Sequence, residues 1–261
     1  MMSADTLPHP LPTILTQVSR SFALSLGILP RSLRGPLGLA YLLARAADTI
    51  ADTRIVPQTE RLRSLDRLQG ELDAPAATRL AEIAAALTGA QRIPAERELL
   101  LHLPACFAAL HRLLPEDRTR IRRVLHLLIE GMQRDLHTFP GETAAGLAAL
   151  ETRQDLHRYT YYAAGCVGEF WTEMAMAHRR SCAGWDAVAM RKRGVRFGQA
   201  LQMTNVLRDV AQDLRIGRCY LPRQDLAACG LRPADLLRPS AMAGLRPLID
   251  DLLTGALADY R

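Results

Sequence analysis

The chain has 261 residues, a net charge of +6 at pH 7, and a composition that is 49% hydrophobic but only 5% aromatic. That length allows one large domain or two small ones, and abundant Ala and Leu with sparse Val, Ile and Tyr favour helices over sheets. No uncharged apolar run reaches the roughly 18 residues of a spanning helix, and MMSADTLPHPLP lacks the basic and apolar blocks of a secretion signal.

Pro8, Pro10 and Pro12 mark an irregular start, and a first helix is expected from Thr13 through Ser19–Leu26 to a break at Pro30. RSLRGPLGLAYLLARAADTIADT then reads as a long apolar helix ending near Thr53. Leu, Ile and Ala at three- and four-residue steps predict helices over 59–72 and 76–88, with another from about 95 to 113. Pro115 restarts the chain into a helix to Leu136, and TFPGET is a turn. A helical pattern follows from Ala144 to about His178, with breaks at Gly146 and Gly165. Further helices are expected over Trp185–Leu214 and 240–258, joined by the loop RIGRCYLPRQDL. The reading is one all-α domain over residues 1–261. The chain ends on LADYR inside a helical pattern without a C-cap signal, which fits either a sequence cut short at Arg261 or a naturally short protein.

The five cysteines form no C-x-x-C pair and no zinc-like spacing, so they read as reduced thiols of a cytoplasmic protein. The basic charge admits nucleic acid, a phosphorylated small molecule or an anionic membrane surface, and does not choose among them. RIRRVLH and MRKRGVR are basic runs of the kind that usually form solvated faces.

Two stretches carry the chemistry. In YLLARAADTIAD, Asp48 and Asp52 stand four residues apart with Arg45 one turn earlier. In LQMTNVLRDVAQDL, Asp209 and Asp213 repeat that spacing beside Arg208, with Asn205 and Gln202 one and two turns before Asp209. Residues i and i+4 of a helix share a face about 6 Å apart. Two carboxylates there repel, and burying them is costly without a counter-charge. Mg²⁺ supplies one, binding oxygen ligands together with substrate phosphates, while guanidinium suits phosphate geometry. Two such faces opposed across a cavity would hold a metal-loaded diphosphate, with the apolar helix surfaces lining a pocket for a hydrocarbon. The bland alternative for either face is a solvated surface with acid–base pairs.

These residues resemble the squalene/phytoene synthase family, the head-to-head prenyl transferases, and look closest to the bacterial squalene branch. SRSFAL, YLLARAADTIAD, YTYYAAGCVGEF and GQALQMTNVLRDVAQDLRIGRCYLP match its ordered motifs along nearly the whole chain. The resemblance implies a single isoprenoid-synthase helical domain around a central apolar cavity. It implies that Asp48, Asp52, Asn205, Asp209 and Asp213 handle Mg²⁺, and that Ser19, Arg20, Ser21, Tyr41, Arg45, Gln202, Asn205 and Arg208 contact diphosphate. Phe22 would line the pocket and Tyr159 would sit by the reacting carbons. Arg20, Arg45 and Arg208 are also the residues implied for NADPH phosphates. Squalene synthases often place an acidic residue before the second Asp of each motif, where this chain has Ala51 and Gln212.

The implied reaction joins two farnesyl diphosphates through presqualene diphosphate and reduces the product to squalene with NADPH. The runner-up is a phytoene or dehydrosqualene synthase that needs no NADPH, and a different class is a non-catalytic scaffold homologue. No nucleic-acid partner is expected. Contact with the inner face of a membrane would suit lipid substrates. Asp135, in GMQRDL, is marked as a residue behind the reacting groups, and Ala46, Ala47, Ala163, Ala164, Gly165 and Gly168 read either as room for hydrocarbon or as close helix packing.

Overall fold

In the computed structural model, residues 7–19 and 22–260 are described, and they are helical almost throughout. The chain divides into two compact units. One comprises the residues up to Ile129 with Met174–Ala183; the other comprises Glu130–Glu173 and the residues from Gly184 on.

The first unit holds α1 (Leu11–Ser19), α2 (Phe22–Ile28), α3 (Arg31–Asp52), α4 (Gln58–Asp73), α5 (Ala77–Leu87), α6 (Pro94–Leu101) and α7 (Leu103–Arg112). It also takes the first part of α8 (Pro115–Thr138). α3 is its centre and touches α1, α2, α4, α6 and α7. Leu39, Leu42, Leu43, Ala46, Ala47 and Ile50 are its buried stripe. Their spacing puts them on one side of a helix with 3.6 residues per turn, and Arg45, Asp48 and Asp52 fall on the other. Each buried Leu or Ile contributes about 1.5–3 kcal/mol, so the apolar stripe fixes the direction in which the charges point.

The end of α3 is held by a buried cation. The Arg61 side chain, on α4, is fully buried and its Nη1 donates to the Ala51 carbonyl at 2.7 Å. That carbonyl lies in the last helical turn, where no intrahelical donor remains, and positive charge is favoured there.

The second unit holds β1 (Ala148–Ala149), α9 (Arg153–Thr160), α10 (Cys166–His178) up to Glu173, α11 (Ala187–Arg215), β2 (Arg218–Cys219), α12 (Arg223–Ala228) and α13 (Met242–Asp259). α9 opens with a capping box between Thr152 and Asp155, and Asp186 caps α11 by accepting from Val188 N and Ala189 N. Between α9 and α10 lies one π-helical turn, Tyr161–Gly165, a distortion often found at functional sites. This segment and α10 meet α11 backbone to backbone. A Cβ on Gly168 would sit 1.9 Å from the Gly194 carbonyl oxygen, and one on Gly198 would sit 2.2 Å from that of Ala164. Gly168 therefore serves close packing, as does Gly165, where a Cβ would lie 2.9 Å from Gln199 Cγ.

β1 and β2 pair in parallel, with Ala148 opposite Arg218 and Ala149 opposite Cys219. Gly217 enters the pair at φ 81°, a conformation that favours glycine, and a Cβ there would strike Thr143 O at 2.7 Å. Cys219, Tyr220 and Leu221 are thereby pinned to the core around Phe139, Leu156 and Val206.

Three expectations need amendment. The helix expected over 95–113 is two helices broken at His102, because Pro104 has no N–H to continue the ladder and its ring crowds the carbonyl of residue 100. The pattern from Ala144 to His178 contains a 3₁₀ turn, β1, α9, the π turn and α10. The loop RIGRCYLPRQDL contains β2 and the start of α12. All five cysteines are free thiols, and burial pushes Cys106 and Cys166 up to about 12. No described helix is long and apolar enough to cross a membrane. Arg61→Leu removes the buried donor to Ala51 and should cost about 2–3 kcal/mol of stability, measured as a lower urea midpoint with an unchanged slope.

Candidate active site

The charged side of α3 opens into a cavity of about 550 Å³ whose wall includes Arg45, Asp48, Thr49, Asp52, Gln91 and Glu96. Arg45 Nη1 donates to Asp48 Oδ2 at 2.5 Å, and Arg45 Nη2 donates to Glu96 Oε1. Glu96, on the first turn of α6, is buried. Burial works against the Arg45 charge, but Asp48 and Glu96 outweigh it and hold the guanidinium pKa above its ordinary value. Asp52, one turn beyond Asp48, has no basic partner among the described residues.

This leaves one cation shared by two carboxylates with a third nearby. Asp48 responds: burial first and the Asp52 charge second push its pKa up to about 6, against the opposing pull of Arg45. Its side chain keeps 41% of its surface open, so water reaches it, but the protein atoms crowded around it replace much of its hydration.

Of the other residues assigned to this part of the chain, Tyr41 is half-buried and its hydroxyl donates to the Val18 carbonyl at 3.4 Å, which ties α3 to α1. Ser19 is buried and its hydroxyl donates to Leu15 O at 2.5 Å. Arg20 and Ser21 lie outside the described residues, and Phe22 is described only as the first backbone position of α2.

In the second unit, α11 carries Gln202, Asn205, Arg208, Asp209 and Asp213. Arg208 grips the adjacent Asp209 with both Nε and Nη2, at 2.8 and 2.6 Å, and this hydrogen bonding holds the Asp209 pKa below its usual value. Asp213 borders a small crevice with Val206, Val210, Arg218 and Tyr220. Gln202 is the link to Tyr159: its Nε2 donates to the Tyr159 hydroxyl at 2.9 Å while its Oε1 accepts from Asn205 Nδ2 at 3.3 Å.

Tyr159 stacks on Tyr220 with ring centroids 4.1 Å apart. The Tyr220 hydroxyl donates to both oxygens of Asp135, at 2.9 and 3.1 Å, and Arg218 pairs with Asp135 at 2.8 Å. Burial and the Asp135 charge raise the Tyr159 pKa far above that of an ordinary phenol. Tyr159 therefore stays neutral, an aromatic face with a fixed hydroxyl rather than a base.

Sequence reasoning missed Glu96, Arg218 and Tyr220. Glu96 stands two residues after Pro94, where an acid is ordinary at a helix start and carries no further signal, and the other two lie in RIGRCYLPRQDL, which reads as a loop. Asp135 was noticed, and the structure supplies its partners.

Because ionising Asp48 is disfavoured in the folded protein, that protein binds a proton there between the ordinary carboxylate pKa and about 6. The contribution of Asp48 to stability, measured without divalent metal as the difference between the native chain and its Asp48→Asn variant, should therefore fall as pH rises from about 4 to about 6. Thermal melting of both proteins across the range reads that difference.

The chain matches the family described as Squalene/phytoene synthase over residues 15–261. It is 29% identical to the squalene synthase of Eremothecium gossypii over 213 residues, covering 81% of this chain and 45% of that protein. It is 27% identical to the presqualene diphosphate synthase of Zymomonas mobilis over 245 residues, covering 93% of this chain and 69% of that protein. Phytoene synthases also match. The chain spans less than half the length of the first curated relatives it matches, 45% and 40%. Among solved structures, the complex of TcSQS with the ligand BPH1237 superposes with a TM-score of 0.73 at 24% identity, over 95% of this chain and 67% of that one. That likeness places the helices in the isoprenoid-synthase fold. With its acidic helix faces set in that architecture, the chain belongs to the squalene/phytoene synthase family.

Proposed function

We propose that the chain is a squalene synthase that joins two farnesyl diphosphates head to head through presqualene diphosphate, with Mg²⁺ at the acidic faces and NADPH as reductant. The observation that carries this reading is the Asp48–Asp52 pair on the wall of a 550 Å³ cavity, with its one close cation shared between Asp48 and Glu96.

The residues suit a hard divalent cation. Asp48 and Asp52 offer oxygens one turn apart, and burial together with the Asp52 charge raises the Asp48 pKa. The buried Thr49 hydroxyl on the same wall lacks a hydrogen-bond partner among the described residues. No three His, Cys, Asp or Glu among the described residues form a ready cage; substrate phosphates and water would complete the coordination. Asn205, Asp209 and Asp213 are the proposed ligands on α11. When bound, Mg²⁺ would neutralise the diphosphate and ease its departure.

The chain's own groups do the rest. Arg45, held between Asp48 and Glu96, places its positive charge beside the leaving diphosphate as the donor's allylic C–O bond breaks and the electron pair goes to oxygen. The acceptor's 2,3-double bond attacks the cation, and the released diphosphate takes up the proton whose loss closes the cyclopropane of presqualene diphosphate. Tyr159, neutral and stacked on Tyr220, offers its ring face to the cation. Gln202 holds its hydroxyl in place. Arg208 is an exposed guanidinium that can turn onto a phosphate. The NADPH assignment rests on the resemblance, and no step is derived through it. The location that goes with this reading is the cytoplasm, at or near the inner face of a membrane, where lipid substrates are available.

A second reading, in which presqualene diphosphate is the final product, is favoured by the Zymomonas mobilis match, which spans 69% of that relative. Incubation with farnesyl or geranylgeranyl diphosphate and Mg²⁺, with and without NADPH, separates the outcomes. Squalene formed only with NADPH supports the first reading, and accumulated presqualene diphosphate in both arms supports the second. Phytoene from geranylgeranyl diphosphate, or no coupled product, would contradict both. Asp48→Asn should lower turnover by about 10²-fold or more while the far-ultraviolet circular dichroism stays unchanged.

A further inference from the structure

Two cations of the cavity have no part in the chemistry above. Arg54 and Arg92 line its wall, and both are exposed. Among the described residues neither guanidinium has a hydrogen-bond or ion-pair partner. Arg54 follows the end of α3, in a turn closed by its own N–H donating to Asp52 O at 2.8 Å. Arg92 lies in the loop between α5 and α6.

Gln91 fastens the two segments together. Its Nε2 donates to Thr53 Oγ1 at 3.1 Å, and its Oε1 accepts from Ile93 N at 2.9 Å. Thr53 precedes Arg54 and Ile93 follows Arg92. The backbone at the root of each arginine is thus pinned while its tip stays loose. Such a side chain can close on a ligand without the cost of ordering a whole loop.

The balance of charge indicates the ligand. Asp48, Asp52 and Glu96 face Arg45, Arg54 and Arg92 around one cavity. Arg45 is already taken by Asp48 and Glu96. A bare anion would meet the carboxylates, and a bare cation would meet the free arginines. A divalent cation chelated by two linked phosphates satisfies both ends. A monophosphate must divide one set of oxygens between the cation and the arginines, whereas a diphosphate brings a separate phosphate to each.

Building on the assignment of this cavity to a diphosphate, we infer that Arg54 and Arg92 clamp the second phosphate of a metal-bound organic diphosphate and select diphosphates over monophosphates. Calorimetric titration of the full chain with inorganic diphosphate, and separately with inorganic phosphate, both in MgCl₂, tests this. The double variant R54Q/R92Q should bind diphosphate about tenfold or more weakly and phosphate as before, with unchanged circular dichroism because both side chains are exposed. Undiminished diphosphate binding in R54Q/R92Q, alongside its loss in D48N, would overturn the clamp and leave the cavity assignment standing. Equal weakening for both ions would overturn the selectivity and reduce the pair to general attraction. Binding that none of these substitutions changes, or no binding by the parent chain, would overturn the clamp and the cavity assignment together.

Discussion

A single guanidinium, Arg45, serves two carboxylates, Asp48 and Glu96, while Asp52 stands one turn away. That imbalance gives the cavity its character. A helix face that was merely solvated would pair its acids with long basic side chains or leave them in water. Here burial and a neighbouring like charge raise one carboxyl to about 6, and the arrangement is relieved when positive charge arrives. The pairing itself contributes little net stability once desolvation is counted; its role is to hold the carboxylates in position.

What keeps the charges there is apolar. The stripe from Leu39 to Ile50 orients α3, and Arg61 secures its end. In the other unit a similar arrangement surrounds Asp135, which Arg218 and Tyr220 both engage. The parallel pair β1–β2, entered through Gly217, delivers those two side chains, and Tyr220 in turn supports the ring of Tyr159. Glycines 168, 194 and 198 let the helices behind this group approach to backbone contact. A purely local change such as Gly168→Ala would therefore disturb groups that it does not touch.

The parts legible in the sequence were those governed by helical period. α3, its buried stripe and its opposed acidic face follow from spacing alone, as does the repeat of that face on α11. Joining Arg45 to Glu96 required the tertiary fold, since 51 positions separate them and an acid after Pro94 is already explained as a helix start. The β1–β2 pair is two residues long, too short for any alternation to show. The π turn at Tyr161–Gly165 has the composition of an ordinary helix and arises from packing against α11. The break at His102 was readable, because Pro104 forbids an uninterrupted ladder, and the strong Leu periodicity on either side concealed it. Small residues such as Gly165 and Gly168 carried two readings, and only the backbone contacts chose between them.

The central claim is that the Asp48–Asp52 face takes a divalent ion together with diphosphate. Manganese is a spectroscopically visible substitute with the same taste for carboxylate oxygen. An electron paramagnetic resonance titration of Mn²⁺ in the presence of inorganic diphosphate counts the ions the protein removes from solution. The account predicts uptake by the native chain and its loss when both aspartates become asparagine; equal uptake by the two proteins would contradict it.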